Sequence, residues 1–452
     1  MAFGPFETCF GMFDGCGDEL LWDMDLKPHA VGDYSMAVVQ ANSCLEDQAQ
    51  VMTSPSSTLV GVYDGHGGPD AARFVKHKLF PYINEFAKEQ GGLSSDSIRK
   101  AFDATEEDFL NLVRRSLRAQ PEIGKMGSCC LVGAITVDDI YVANLGDSRA
   151  VLGQRVFNGK NHSVVAERLS TDHNVRDREV RKEVRALNPD DSRIVMNCYG
   201  VWRVKGVLTV SRSIGDAFLK DVEINRDPLI KKYASTILLK RPALTAEPSI
   251  VKRKLKDEDM FIIFASDGLW EKLTDQAAAE IVYKSPRAGI AKRLVRAALD
   301  EAARQNGMSH REITKIRKGA RRHYHDDITV VVIYLDHHSE AHTKLECVNA
   351  PTDIFTLHSK EVMMMRKLLF AVLLCSLLLS STFMEPVIAR SVYCTKRCKA
   401  RCAKAGVRNR CLKSCYICCA QCGCVPSHTY GNKHQCPCYR HKRGSNGKPK
   451  CP

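Results

Sequence analysis

Four short stretches deliver aspartate at the edge of an apolar run. Asp64 closes TLVGVYDGHGG (58–68), Asp267 follows the strand-like half of MFIIFASDGLWE (260–271), and Asp326 and Asp327 precede the last run of HYHDDITVVVIYL (323–335). Asp147 sits in the turn of IYVANLGDSR (140–149). Asp-Gly is a common turn former, and any one match would pass as an ordinary turn. Four together predict carboxylates gathered on one rim. Gathered carboxylates repel, and burying them unneutralised costs several kcal/mol apiece. A bound divalent cation resolves that conflict. Oxygen ligands beside a glycine-rich turn, with no His/Cys cluster, select Mg²⁺ or Mn²⁺ over zinc. Two such ions about 3.5–4 Å apart can share a carboxylate and activate water for in-line attack on a phosphoester.

The elements that must hold these residues are legible nearby. Continuous apolar runs such as 261–265 and 328–335 predict strands of one sheet core. PDAARFVKHKLFPYINEFAKE (69–89) and AGIAKRLVRAALDEAARQ (288–305) carry apolar residues at helical spacing, the first with Pro69 at its start. Those stripes read as core. His29, His77, His162 and His310 read as ordinary polar or packing residues, so His66 is the one histidine with a catalytic prospect and His325 a distant second.

Charge and cysteine divide the 452-residue chain in two. It has 66 Lys+Arg against 52 Asp+Glu, yet residues 390–452 hold fifteen of the basic residues and no acidic one. What precedes is near neutral. Twelve of the 20 cysteines also fall in those last residues, an even dozen in a segment too poor in aliphatics to build a core alone. Between the halves, MRKLLFAVLLCSLLLSSTFMEPVIA (365–389) has a basic start, an apolar run and a small-residue exit, the pattern of a secretion signal. The organisation expected is an N-terminal extension (1–28), a large domain (29–336), a linker (337–364), the signal-like segment (365–389) and a twelve-cysteine domain (390–452).

In order along the chain, YDGHGG, GDSRAVLG, LSTDHN, LTVSRSIGDAFLK, FASDGLWEKL and HDDITVVV resemble the motif set of the metal-dependent type-2C protein serine/threonine phosphatases, over about 34–336. GVWRVKGVLTVSRSIGD and RKGARRHYHDD further resemble the plant subgroup that acts on the plasma-membrane proton pump and is inhibited by small auxin-induced proteins. The resemblance implies an α+β fold, a central antiparallel β-sandwich flanked by helices, that dephosphorylates phosphoserine and phosphothreonine proteins. It implies that Asp64 bridges two Mg²⁺ or Mn²⁺ ions and that the Gly65 carbonyl binds one of them. Asp267 and Asp326 would serve the second ion, and Glu46 and Asp47 would reach the ions largely through water. His66 would be the general acid for the leaving oxygen, and Asp147 and Glu271 would attend a weaker third ion. Three departures stand out: Asn42 replaces the usual phosphate-binding arginine, Cys129-Cys130 a hydroxyl and a small residue, and Glu271 an aspartate. With Asn42 there, the substrate phosphate must be held by the metals or another cation.

From Cys394 the spacing CxxxCxxxCx(8)CxxxCxxCCxxCxC resembles the snakin, or gibberellin-stimulated, family of secreted plant peptides, which implies a small disulfide-rich helical domain with antimicrobial or growth-related activity. Adjacent cysteines argue against a zinc site. Six bridges are expected; spacing leaves their connectivity open. The uncompensated cations predict attraction to anionic lipid, cell-wall polymer or nucleic acid, with no specific nucleic acid expected. The phosphatase part would work in the cytoplasm or nucleus or at the inner face of the plasma membrane, and the cysteine-rich part in the secretory pathway. Three accounts meet both demands: a join of two neighbouring gene products, with Met363, Met364 or Met365 starting the second; a membrane-anchored phosphatase with a lumenal peptide; or a precursor cut after Ala389. The first is favoured, because no single compartment suits both ends.

Overall fold

The computed structural model describes residues 18–233, 239–336, 394–441 and 451. The linker with its Met363 and Met364, and the signal-like segment that begins at Met365, lie outside the described residues. Contacts along the chain divide into two compact units, 1–357 and 358–452.

The first unit is built on two antiparallel sheets. One has six strands, in the spatial order Leu21–His29, Gly32–Val39, Ile328–Tyr334, Asp259–Ala265, Arg149–Phe157, His162–Arg168. The other has five, in the order Ser249–Lys254, Asp139–Leu145, Cys130–Thr136, Ser57–Tyr63, Gln48–Thr53. Their facing sides make a shared core, into which Val60, Val62, Phe264, Val331 and Ile333 point. The alternate residues point outward to helices, because successive strand side chains take opposite faces. Leu59 packs with Val75 and Phe102 of helices Asp70–Glu89 and Ser95–Ser116. Val330 and Val332 pack with Leu294 and Ala298 of helix Ile290–Gln305. Both faces are therefore covered, which is why these strands read as unbroken apolar runs rather than alternating ones.

Helices Asp70–Glu89 and Ile290–Gln305 fall where apolar spacing placed them, with Pro69 as the residue before the first turn. Helix Ser95–Ser116 was not anticipated. A reciprocal cap starts it: the Ser94 hydroxyl accepts from the Ser97 amide, and the Ser97 hydroxyl accepts from the Ser94 amide. The folded domain also begins before residue 29. Strand Leu21–His29 pairs with Gly32–Val39, and Asp18 forms an ion pair with the buried Arg321 at 2.6 Å. As a half-exposed edge strand rich in charge, LWDMDLKPH carries little apolar signal.

The second unit is a sulfur core. Residues 394–401 are helical, and Arg408–Cys422 is a second helix. Cysteines four apart share one helix face. Cys394, Cys398 and Cys402 therefore meet Cys419, Cys415 and Cys411 in three successive bridges. Cys418–Cys451, Cys422–Cys438 and Cys424–Cys436 tie the remainder down. Apart from Val425 and Tyr439, the buried residues of this cluster are all cysteines.

Candidate active site

Antiparallel pairing explains why carboxylates far apart in sequence come together. Where two strands run antiparallel, the residue after one and the residue before the other lie at the same end. Gln48 pairs with Tyr63, so Asp47 and Asp64 share an end of the five-stranded sheet. Ala265 pairs with Val330, which brings Asp267 and Asp326 to one end of the six-stranded sheet. Cys130 pairs with Leu145, placing Cys129 beside the Gly146-Asp147 turn. The same rule brings Gln40–Asn42 to Asp326 and Asp327 through the pairing of Val39 with Ile328.

These ends form one cluster drawn from both sheets. Burial, reinforced by the charges of Asp267, Asp47, Asp326 and Asp147, pushes the Asp64 carboxyl well above the usual carboxylate range. Asp47 and Asp267 are pushed up in the same way, burial first and neighbouring carboxylates after it. Glu46 rises to about 7, through burial and then Asp327 and Asp326. Asp326 rises to about 6, burial outweighing the opposing charge of Arg322. A buried oxygen of Asp267, Oδ1, has no hydrogen-bond partner. Ligand atoms of Asp64, Cys129 and Asp147 all lie within 4.8 Å of one another. So many proton-holding carboxyls with an orphaned oxygen among them make a site whose donors fit a hard divalent cation. Gly65 supports that fit: a Cβ there would sit 2.6 Å from the Glu46 carbonyl oxygen, so only glycine lets the 46–47 segment approach.

Not all acidic residues in the cluster face the cation position. Asp327 is committed to the backbone, accepting from the amides of Ala41 (2.6 Å), Asn42 (2.9 Å) and Glu46 (2.9 Å), which fixes the loop that carries Glu46 and Asp47. Asn42 donates through Nδ2 to Asp326 Oδ1 at 3.0 Å, so it orients a carboxylate rather than meeting a phosphate. Asp147 accepts from Asn174 Nδ2 at 2.6 Å and from the Cys129 thiol at 3.5 Å. Burial raises that thiol well above its ordinary range, which keeps it a proton donor to Asp147. Glu271 is exposed, and its charge acts on Asp267 from the edge of the cluster.

His66 stands beside the cluster, 24% exposed, with Nε2 2.8 Å from Asp216 Oδ2. Burial opposes charge on the imidazole, but Asp216 outweighs it and raises the pKa. Asp216 was missed in the sequence, where it lies unremarked in SRSIGD; the signal is a left-handed residue (φ 52°) that is not glycine, which coordinates alone reveal. Ser213 Oγ donates to the same Oδ2 at 2.6 Å, and the Gly215 amide is held by Glu106 at 2.8 Å. Gly127 must be glycine, since a Cβ would collide with both His66 and Asp216. His325, by contrast, is buried, its Nδ1 lies 2.6 Å from the Asp326 carbonyl oxygen, and burial lowers its pKa; it packs. His29 likewise bonds to Thr58 and the Tyr334 carbonyl inside the core.

Residues 25–307 match the family model described as Protein phosphatase 2C. The chain belongs to the protein phosphatase 2C family. An Arabidopsis thaliana relative, probable protein phosphatase 2C 63, is 61% identical over 79% of this chain and 95% of its own length. A rice relative (Oryza sativa subsp. japonica), probable protein phosphatase 2C 78, is 59% identical over 79% of this chain and 94% of its own. These phosphatase 2C relatives are thus spanned almost whole by four-fifths of the chain. Residues 393–452 match a second model, Gibberellin regulated protein, and this is the segment that carries the six bridges. The chain therefore joins a protein phosphatase 2C domain of α+β fold to a cysteine-rich domain of the gibberellin-regulated type.

Proposed function

We propose that the phosphatase domain hydrolyses phosphoserine and phosphothreonine in proteins with two divalent cations, Mg²⁺ or Mn²⁺. The observation that carries this reading is the meeting, beside His66, of buried carboxylates from both sheets whose proton affinities are raised together. Asp64, Gly65, Asp267 and Asp326 would hold the ions directly, Glu46 and Asp47 from farther out, and Asp147 with Glu271 a weaker third. Bound there, the ions supply neutralising charge and an activated water for attack on phosphorus.

The chain's own residues do the rest. His66, kept protonated by Asp216, gives its proton to the departing serine or threonine oxygen. Asp216, held by Ser213, fixes the direction in which that proton points. Asp327 and Asn42 keep the ligand loop and the Asp326 carboxylate in place before any ion arrives. The test is turnover of a phosphothreonine peptide by the full chain with MnCl₂ or MgCl₂. Activity that survives both Asp64→Asn and a chelator would sink the metal mechanism.

The motif GVWRVKGVLTVSRSIGD supports the plasma-membrane proton pump as substrate and small auxin-induced proteins as inhibitors, with the domain in the cytoplasm or nucleus or at the inner face of the plasma membrane. A second reading concerns the tail: residues 393–452 act as a separate secreted basic peptide that binds anionic lipid or cell-wall polymer. Its support is the second family match together with a core made of disulfides, which need an oxidising compartment. Antibodies raised to the two ends decide it. Two separate products support a join of two genes or a cleaved precursor, whereas a single full-length product on a membrane supports the anchored form.

A further inference from the structure

Position 42 leaves the substrate without its usual cation, and the structure shows Asn42 engaged elsewhere, on Asp326. A phosphate monoester brings about two negative charges toward a group of carboxylates, so a cation fixed at the mouth of the cluster would add to the hold of the ions on the phosphate. Arg149 is not available: it is buried and bound by both Asp172 and Asp275. Arg321 is fully buried and bound to Asp18 and the carbonyls of Thr314 and Ile316.

Its neighbour Arg322 differs. Within the turn Arg321–His323 the two guanidinium groups find different partners, the buried Arg321 meeting Asp18 and the half-exposed Arg322 meeting Asp326. Arg322 Nη2 lies 2.7 Å from Asp326 Oδ2, and the side chain is 52% exposed, so one side meets the cluster and the other meets solvent. Asp326 is its one ion-pair or hydrogen-bond partner among the described residues. Burial disfavours its charge, but Asp326, Asp267, Glu271 and Asp64 together outweigh that, which places it within reach of the field of the whole cluster. A planar guanidinium with unused donors suits the oxygens of a phosphate, which it can grip in pairs.

We propose that Arg322 is the phosphate-binding residue of this chain, supplying from the segment before Asp326 the cation that Asn42 does not provide. It holds substrate phosphate oxygens at the entrance to the site, and inorganic phosphate after reaction. The inference rests on the phosphatase reading above and adds a residue to it.

The experiment uses the full chain and compares wild type, Arg322→Ala, Arg322→Lys and the double variant Asn42→Arg/Arg322→Ala. For each, KM and kcat for a phosphothreonine peptide, inhibition by inorganic phosphate, and the MnCl₂ concentration for half-activation are measured. Arg322→Ala is expected to raise KM and the phosphate inhibition constant about 10- to 100-fold, the cost of a lost charged hydrogen bond. Half-activation by MnCl₂ should move by less than about threefold. Arg322→Lys should fall between, and Asn42→Arg should restore much of the loss. If KM and phosphate inhibition stay at wild-type values, the inference is overturned, whether or not the MnCl₂ requirement rises; a rise there would make Arg322 only a counter-ion to Asp326. Calorimetric titration of inorganic phosphate into the Mn²⁺-loaded chain gives the same comparison without turnover. An inactive wild type would therefore refute the phosphatase reading while leaving the role of Arg322 decided by binding.

Discussion

His66 Nε2 and Asp216 Oδ2 are 2.8 Å apart across 150 residues of sequence, and Gly127 leaves the gap in which they meet. The pair makes a specific claim about proton transfer. His66 must be protonated to act as the acid, so activity is lost as pH rises through its pKa. Asp216 raises that pKa. Asp216→Asn should therefore move the alkaline limb of the kcat profile to lower pH by about 1 unit and lower kcat roughly 10- to 100-fold. Gly127→Ala should produce the same shift. A merely structural role for Asp216 would lower kcat without moving the limb.

Asp64 lies within the field of four other carboxylates, Asp267, Asp47, Asp326 and Asp147. Asp64→Asn should lower kcat by about a thousandfold or more, if Asp64 is the carboxylate that both ions share as proposed. Thermal shift gives a second check. MnCl₂ should raise the Tm of the wild-type phosphatase domain, because a ligand that binds only the folded state stabilises it, and this rise should shrink in Asp64→Asn.

The metal-free domain should lose stability as pH rises. Glu46 holds its proton to about 7 and Asp326 to about 6 in the fold, both above the ordinary carboxylate range. With Asp47, Asp64 and Asp267 also raised, these carboxyls make the folded state bind more protons than the unfolded one between about pH 4 and 7, and their contribution to stability falls with pH across that window. They outnumber buried His173 and His325, whose pKa values burial lowers and whose contribution runs the opposite way below about pH 6.5. In chelator, Tm should drop from pH 5 to pH 7.5. Divalent cation should flatten or reverse the slope; a Tm that rises with pH in chelator would contradict the raised carboxyls.

Oxidation decides the fate of the tail. The bridges close loops of 9 to 33 residues, and losing one from so small a domain costs roughly 2–5 kcal/mol. Without reductant, trypsin should leave a disulfide-linked core that holds 394–441 together with Cys451 despite its many Lys and Arg residues. After reduction that core should vanish while the phosphatase domain persists. Alkylation under native conditions should label the exposed Cys44 and none of the twelve bridged cysteines.

The sequence by itself determined the strands, the two halves and most of the carboxylates that cluster at the strand ends, for a physical reason. A strand covered on both faces must be apolar throughout, so Phe261–Ala265 and Ile328–Tyr334 declare themselves, and a carboxylate at their ends breaks the pattern visibly. Twelve cysteines in a segment poor in aliphatics likewise announce a disulfide-stapled domain, though not its pairing. The amphipathic edge strand Leu21–His29 and the capped helix Ser95–Ser116 left weaker marks. What only the tertiary structure decided are relationships across long separations. That Asp327 serves the backbone while Asp326 faces the site, that Arg322 meets Asp326 where Arg321 meets Asp18, and that Asp216 meets His66 all depend on which chain segments pack together. Identical residue types in adjacent positions carry no sign of that choice, because it is made by antiparallel pairing and by the space a glycine leaves.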